Sequence, residues 1–543
     1  MSSTNAQPIS VKALSYGQVQ LEELNRQGFS SLVSMFEKVC AQKPDVVAYS
    51  CMGKELTFAE IDKLSRNAAA YLVNECNLKQ GDRIAMQLPN VLQYPVMAWG
   101  ALRAGLVIVN TNPLYTPREM LHQFSDAGVK ALVVLNDLLP KAEAILHQTS
   151  IETVIATSDL DFLNVQPLPK SRFKNVVGFM EVLAKGKKLP LPEINITMED
   201  VAVLQYTGGT TGVAKGAVLT QGNVFGGLAV SRDFFKEVMV EREVVIAPMP
   251  LYHVYGFTMS VVSVFLYGGM SVLIPNARDA GSLIQAMKDY TATGLAGVNT
   301  LFQSMMEHPE FDDINFSQLT GTIAGGTALI KEVAEEWKAR TGCDIYEGYG
   351  LSETAAAFSC NKEGARKLGT VGKSFENMQV KLINDQGQTV SGDDRGELCL
   401  RGPQVMKGYW NRAEATREAI DSDGWFMTGD VAIIDDEGFI KIVDRIKDMV
   451  LVSGFNVYPT EIENVVYSHP DVVECAVIGV PDAKTGEAVK LFVNSSNPDL
   501  TNDDLRAFCK QDLTGYKVPK HIEFMTDLPK SPVGKILRRE LRD

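Results

Sequence analysis

VAVLQYTGGTTGVAKGA, residues 201–217, places a strand-like run directly against a loop of glycine, threonine and one lysine. VAVLQY (201–206) has the length and the Val and Leu content of a strand buried on both faces. The loop suits phosphate. Its glycines let backbone amides approach an anion, the hydroxyls of Thr207, Thr210 and Thr211 donate, and Lys215 supplies a cation. A Walker-type loop needs glycine directly before its lysine and Ser or Thr directly after. Here Lys215 lies between Ala214 and Gly216, so the spacing fails while the physical ingredients remain. A ligand-free glycine turn is the alternative, but ordinary turns need far fewer such residues.

Similar buried-strand runs occur on either side, KALVVL (130–135) and EVVIAPM (243–249). Helix starts are legible between them, because Thr57-x-x-Glu60, Thr116-Pro-x-Glu119 and Thr460-x-x-Glu463 each offer a reciprocal capping box. Strands alternating with helices predict layered α/β sheets with parallel pairing. Past residue 370 the texture becomes β-rich: QVKLIND, GELCLRG and VAIIDDEGFIKIVDR are short alternating strands joined by Asp and Gly turns. From about 449 a compact α+β pattern follows, with a helix from Thr460, strands ECAVIGV and AVKLFVN, a helix from Asn502 and a basic end. The expected organisation is therefore a large domain over 1–443, its β-rich part at about 370–443, and a small α+β domain over 449–543. Asp444 to Asp448, charged and exposed in appearance, is the expected boundary.

The net charge of −14, from 66 acidic and 52 basic residues, leaves no electrostatic footprint for nucleic acid. Eight scattered cysteines never adopt C-x-x-C spacing, which predicts reduced, buried thiols rather than zinc or disulfides. The polar start, MSSTNAQPISVKALSYGQ, lacks a secretory pattern, so a cytoplasmic location is expected. One stretch, FTMSVVSVFLYGGMSVLI (257–274), carries no charge over 18 residues, but Gly268-Gly269 divides it into a buried helix and a short strand, each too short to span a bilayer.

Two further constellations carry chemistry. In AGG (324–326), Thr327 and YEGYGLSET (346–354), the glycines at 348 and 350 around Tyr349 would let backbone and a flat ring lie against a purine. Glu353 offers a hard oxygen ligand for magnesium, with helix capping by Ser352 and Glu353 as the alternative. GWFMTGD ends in Asp430, and Arg445 follows fifteen residues on. A carboxylate there can accept both ribose hydroxyls, with the guanidinium as reinforcement.

YTGGTTGVAKGA, YEGYGLSET, GWFMTGD, DRIKDMVLVSGFNVYP and PKSPVGKILRREL, in this order, resemble the signature motifs of the adenylate-forming superfamily of acyl-CoA synthetases, adenylation domains and luciferases. The resemblance runs from NPLYTPRE near residue 112 to the C-terminus, and PLYH, GVNTLF and LTGYKVPK resemble bacterial long-chain fatty acid–CoA ligases. It implies a two-step reaction in which ATP, with magnesium, converts a long-chain fatty acid to an acyl-adenylate, and CoA then takes the acyl group. It also implies roles. Thr207, Gly208, Gly209, Thr210, Thr211, Gly212 and Lys215 would hold the β and γ phosphates, and Glu353 with Thr210 would bind magnesium. Gly325, Gly326 and Tyr349, with Thr327, Glu347, Gly348, Gly350 and Ser352, would surround AMP, while Asp430 and Arg445 hold ribose. Lys535 would meet the carboxylate and α-phosphate, Lys447 would be the hinge, and Gly454 would border the CoA tunnel. His253, Phe257, Asn299 and Thr300 would shape the acyl pocket. Insoluble substrates also imply peripheral contact with the inner face of the membrane. A fatty acyl-AMP ligase serving a carrier protein, a luciferase-like oxygenase and a non-catalytic fatty acid or nucleotide binder are the competing readings.

Overall fold

The computed structural model describes residues 29–207, 214–235, 243–376, 378–392, 394–531 and 535–542. The chain gathers into two compact units. The larger takes the residues up to Leu368 with Ser374–Gln379 and Arg401–Asp423, and the smaller takes Gly369–Lys373, Val380–Leu400 and Gly424–Asp543.

Two large sheets dominate the first unit. In the seven-stranded sheet, Val129–Leu135, Arg83–Gln87, Val107–Asn110 and Val201–Thr207 run parallel, and Lys215–Thr220 closes one edge antiparallel. The nine-stranded sheet sets Ile345–Leu351, Gly321–Gly325, Gly294–Gly297, Val244–Ala247, Met270–Leu273 and Val47–Cys51 in parallel order. Its central residues are buried on both faces, as apolar parallel strands require. An aromatic knot of Phe36, Tyr49, Phe58, Trp99 and Phe265 fills the space beside it, with ring centroids 4.5–5.5 Å apart.

The uncharged stretch at 257–274 divides at its glycine pair. Phe257–Ser263 forms a π-helix, Val264–Leu266 continues it as α-helix, and Met270–Leu273 is a buried strand of the nine-stranded sheet. Among the described residues no helix is long and apolar enough to cross a membrane. All eight cysteines are buried.

In the smaller unit Phe426–Ile434 pairs antiparallel with Ile440–Arg445, and a second sheet built on Val472–Asp482 and Gly486–Ser495 carries the helices Pro459–Tyr467 and Asn502–Asp512. Compactness thus groups residues 424–443 with the C-terminal part, whereas the sequence pattern groups them with the N-terminal one. Val431 and Val443 share a buried cluster with Tyr458, and polar contacts tie down the residues that follow. Asp444 and Asp448, exposed by their charge pattern, are in fact buried. Arg538 donates to both Glu463 oxygens at 2.6 and 2.8 Å and lies 3.4 Å from Asp448, and Arg542 reaches Asp448 at 2.8 Å. Asp444 Oδ2 accepts the Thr460 N–H at 2.7 Å. Two guanidinium groups arriving some ninety residues later in the chain make burial of these carboxylates tolerable.

The capping boxes at Thr57 and Thr116 form as the sequence predicts. The one at Thr460 does not: the helix begins at Pro459 with Tyr458 as N-cap, and Glu463 is drawn instead to Arg538 and the Val477 N–H. Thr116→Ala is therefore expected to cost about 1 kcal/mol in urea unfolding, whereas Thr460→Ala should stay within roughly 0.5 kcal/mol of the parent. Equal losses would remove the distinction.

Candidate active site

Thr207 faces Lys215 across an antiparallel pair, with Tyr206 opposite Gly216. A Walker loop is followed by a helix, but here the lysine begins a strand. Gly208, Gly209, Thr210, Thr211 and Gly212 lie outside the described residues. Gly216 packs closely on the Tyr206 ring, where a Cβ would sit 3.0 Å away and require the ring to shift. Segment 407–410 zips onto the same strand: the Lys407 N–H donates to Val218, Val218 to Gly408 and Trp410 to Gly216, at 2.8–3.0 Å. Asp126 secures the far end, accepting from Tyr206 at 2.7 Å and pairing with Arg412 at 2.6 Å.

That docking delivers Tyr409, which the sequence reading passed over. Its ring receives the Lys215 ammonium 5.2 Å from its centroid, and its hydroxyl donates to Glu353 Oε1 at 2.8 Å. The Met406 N–H holds the Glu353 carbonyl at 2.8 Å. Glu353 sits in a 3-10 turn, Ser352–Thr354, ending on Ala355 at φ 56°. The cap there is Thr354, which accepts the Leu351 N–H, so Glu353 is released from capping and turned toward Tyr409.

The glycines meet as a ledge. Gly325 lies opposite Gly348 in parallel strands, Gly326 takes φ +86°, and Thr327 is half-buried. Gly348 and Tyr349 are half-buried and Gly350 is exposed, with Tyr349 set edge-on to Phe358 at 5.2 Å. Glu347 does not join them: it is buried, accepts the Leu329 N–H at 3.0 Å, and burial pushes its carboxyl up to about 8. Asn299 pins the same segment, donating to Ala328 at 2.6 Å and accepting from Ile330 at 3.0 Å. Thr300 beside it is exposed.

His253 Nδ1 accepts the Tyr255 N–H at 3.4 Å and so caps the short turn Val254–Gly256. Gly256 admits no substitute, since a Cβ would fall 2.2 Å from the Pro250 carbonyl oxygen. Phe257 follows, fully buried, and the Thr258 hydroxyl donates to Ala355 at 2.6 Å, tying this wall to the Glu353 turn.

In the smaller unit Asp430 and Arg445 are cross-strand partners joined at 2.9 Å, with Asp430 almost wholly buried. Lys447 occupies the turn Ile446–Asp448, and Gly454, at φ +83°, follows Ser453 in the turn of a tight hairpin. Crowding by the surrounding chain, then the Arg445 guanidinium with Arg538 and Lys447, pushes the Lys535 ammonium below its ordinary range, opposed by Asp430, while the side chain keeps contact with solvent.

The AMP-binding enzyme family model matches residues 36–410, beginning well ahead of the motifs near 112, and the model of its C-terminal domain matches 461–535. The chain belongs to the AMP-binding enzyme family. It is 44% identical over 537 residues to a long-chain-fatty-acid–CoA ligase of Escherichia coli O157:H7, covering 96% of each chain. Among solved structures it resembles an anthranilate CoA ligase in complex with anthranoyl-AMP, with a TM-score of 0.85, 25% identity and coverage of 94% of this chain and 96% of that one. It also resembles an ATP-bound MatB from Rhodopseudomonas palustris, with a TM-score of 0.82, 28% identity and coverage of 94% and 98%.

Magnesium carried on a nucleotide fits the donor set present. Among the described residues no group of three or more His, Cys, Asp or Glu side chains could hold a metal by itself. Magnesium in nucleotide sites takes one or two carboxylates, with phosphates and water completing its shell, and a single carboxylate such as Glu353 with one oxygen engaged suits that arrangement.

Lys535 provides a direct test of the electrostatics. Its acetylation rate, followed by mass spectrometry against pH, should show a midpoint near 8 rather than the ordinary 10.5. Asp430→Asn should lower that midpoint and Arg445→Ala should raise it; movement in the opposite senses would contradict the arrangement.

Proposed function

We propose that this chain converts a long-chain fatty acid to its acyl-adenylate with release of pyrophosphate, and then forms the CoA thioester. The observation that carries the reading is the Lys215–Tyr409–Glu353 arrangement on the glycine-rich hairpin, in a chain whose near-full-length relative is named for this reaction. A carboxylate repels nucleophiles by its own charge; in adenylation one of its oxygens bonds to the α-phosphorus as pyrophosphate leaves, and that oxygen then departs with AMP when the CoA thiolate attacks the acyl carbon.

Each described residue has a matching task. Lys215 neutralises the β and γ phosphates as they depart, and Glu353 is the residue that would hold magnesium, which supplies Lewis-acid stabilisation of phosphate charge when bound. The ledge at Gly325, Gly326 and Gly348–Gly350 accepts the flat base. Asp430, oriented by Arg445, accepts the ribose hydroxyls, and Lys535 offers its charge to the carboxylate and α-phosphate oxygens, where charge concentrates in the transition state. Residues 444–448 act as the hinge between domains 1–443 and 449–543, with Lys447 as the turning point and Gly454 beside the CoA path. His253 and Phe257 border the acyl chain. A fatty acyl-AMP ligase would stop at the adenylate, and a non-catalytic binder would have no need of Lys215, Glu353 and Lys535 together.

The decisive measurement is acyl-CoA formation and pyrophosphate release across a fatty acid chain-length series, with both expected and in equal amounts. Pyrophosphate without thioester would replace this reading with the acyl-AMP ligase. Lys535→Ala should slow pyrophosphate release by ~10² or more, and near-normal release would remove its assigned role.

Contact with a lipid surface belongs to the same reading. Leu160, Leu163, Val165 and Leu168 are exposed on one segment, and Lys170, Arg172 and Lys174, also exposed, follow it. Asp161 holds that segment in shape by accepting from Thr157, Ser158 and Gln166, so the aliphatic side chains are presented outward on a fixed scaffold. Apolar side chains beside basic ones match an anionic bilayer. Leu163→Glu should reduce co-sedimentation with anionic phosphatidylglycerol vesicles several-fold, and unchanged sedimentation would exclude this surface.

A further inference from the structure

We propose that Tyr409 is a positioning residue that keeps the phosphate cation Lys215 and the metal carboxylate Glu353 apart while holding each in place. The inference rests on the roles given to Lys215 and Glu353 above. A lysine and a glutamate serving the same triphosphate face an obvious hazard. Left unspaced, they would pair with each other, and the pair would present little charge to the nucleotide.

In this structure no ion pair joins them. Instead one aromatic side chain engages both, through two different parts of itself. The ring face attracts the Lys215 ammonium at 5.2 Å, an interaction that orients a cation without neutralising it. The hydroxyl donates to Glu353 Oε1 at 2.8 Å, which orients the carboxylate and leaves its charge intact.

The backbone shows that the spacing is built. Residues 407–410 are hydrogen-bonded to the Lys215–Thr220 strand through Val218 and Gly216, and the Met406 N–H grips the Glu353 carbonyl. The Tyr409 N–H donates to the Thr416 hydroxyl at 2.9 Å. Gly408, at φ +142°, lies so close to Thr416 that a Cβ there would fall 2.6 Å from its Cγ2. One short strap thus fixes the backbone of both charged residues and the ring between them.

Two variants separate the two functions of the side chain. Tyr409→Phe keeps the ring and removes the donor. Tyr409→Leu removes both. Binding of a non-hydrolysable ATP analogue to the full-length protein, measured by calorimetry across a magnesium titration, reads them independently of turnover. Tyr409→Phe should raise the magnesium concentration for half-maximal binding about tenfold, the size expected for a lost bond to a charged group, with metal-free nucleotide affinity unchanged. Tyr409→Leu should in addition weaken metal-free binding, since Lys215 is then released toward Glu353. Wild-type magnesium dependence in both variants, with normal thermal stability, would overturn the proposal. Glu353→Gln serves as the reference: if it also leaves the magnesium dependence unchanged, the reading of Glu353 fails, whereas a shift in Glu353→Gln alone removes only the role of Tyr409.

Discussion

The pairing of Thr207 with Lys215 is the constraint on which the larger unit's chemistry depends. Paired residues in an antiparallel ladder sit about 5 Å apart, so the register of one hairpin determines where the lysine leaves the sheet. The free edge of the same hairpin then takes the 407–410 strap, and the strap brings Tyr409 to the Glu353 turn. A one-residue slip would reverse the face on which Lys215 projects. The bare Cα of Gly216 packs against the Tyr206 ring, where a side chain would crowd the ring, and this favours the observed register.

The two units handle charge in opposite ways. Around Lys215 and Glu353 the charges are held singly, by an aromatic face and a neutral hydroxyl, and no ion pair joins the two. Around residues 444–448 they are condensed. Asp444, Asp448 and Glu463 meet Arg538 and Arg542 in a network that satisfies itself, with burial still lifting the Asp444 carboxyl to about 6. Such a network contributes less to net stability than its short distances suggest, because desolvation offsets much of the attraction, but removing one member would strand the others. It ties the tail that carries Lys535 to the turn that carries Lys447.

The legible parts of the chain were those whose chemistry is local. The strand at 201–207, the capping boxes at Thr57 and Thr116 and the cross-strand pair Asp430 and Arg445 all express interactions between neighbours in sequence or between adjacent strands. The misread parts depend on distant partners. Asp444 and Asp448 look like a solvated linker until Arg538 and Arg542 arrive from the far end of the chain. Thr460 looks like a cap until Pro459 takes the first helical position and Glu463 turns elsewhere. Glu347 and Asn299, expected at the nucleotide and at the acyl chain, also hold the 328–330 segment, a task their motifs do not announce. Tyr409 carries no charge in MKGYWNR; its importance comes from Lys215, placed against its ring by a hairpin two hundred residues earlier, and from Glu353, set against its hydroxyl by the turn at 352–354.

The buried cysteines acquire a meaning once the chemistry is known. An acyl-adenylate is a mixed anhydride, and a thiolate attacks it readily, which makes every ionised cysteine on the protein a rival to the intended acceptor. All eight thiols are enclosed, and burial pushes those of Cys40 and Cys51 up to about 12. Burial thus favours the unreactive, protonated form of these two thiols. Packing thereby works against self-acylation, whereas the thiol of CoA arrives from solution.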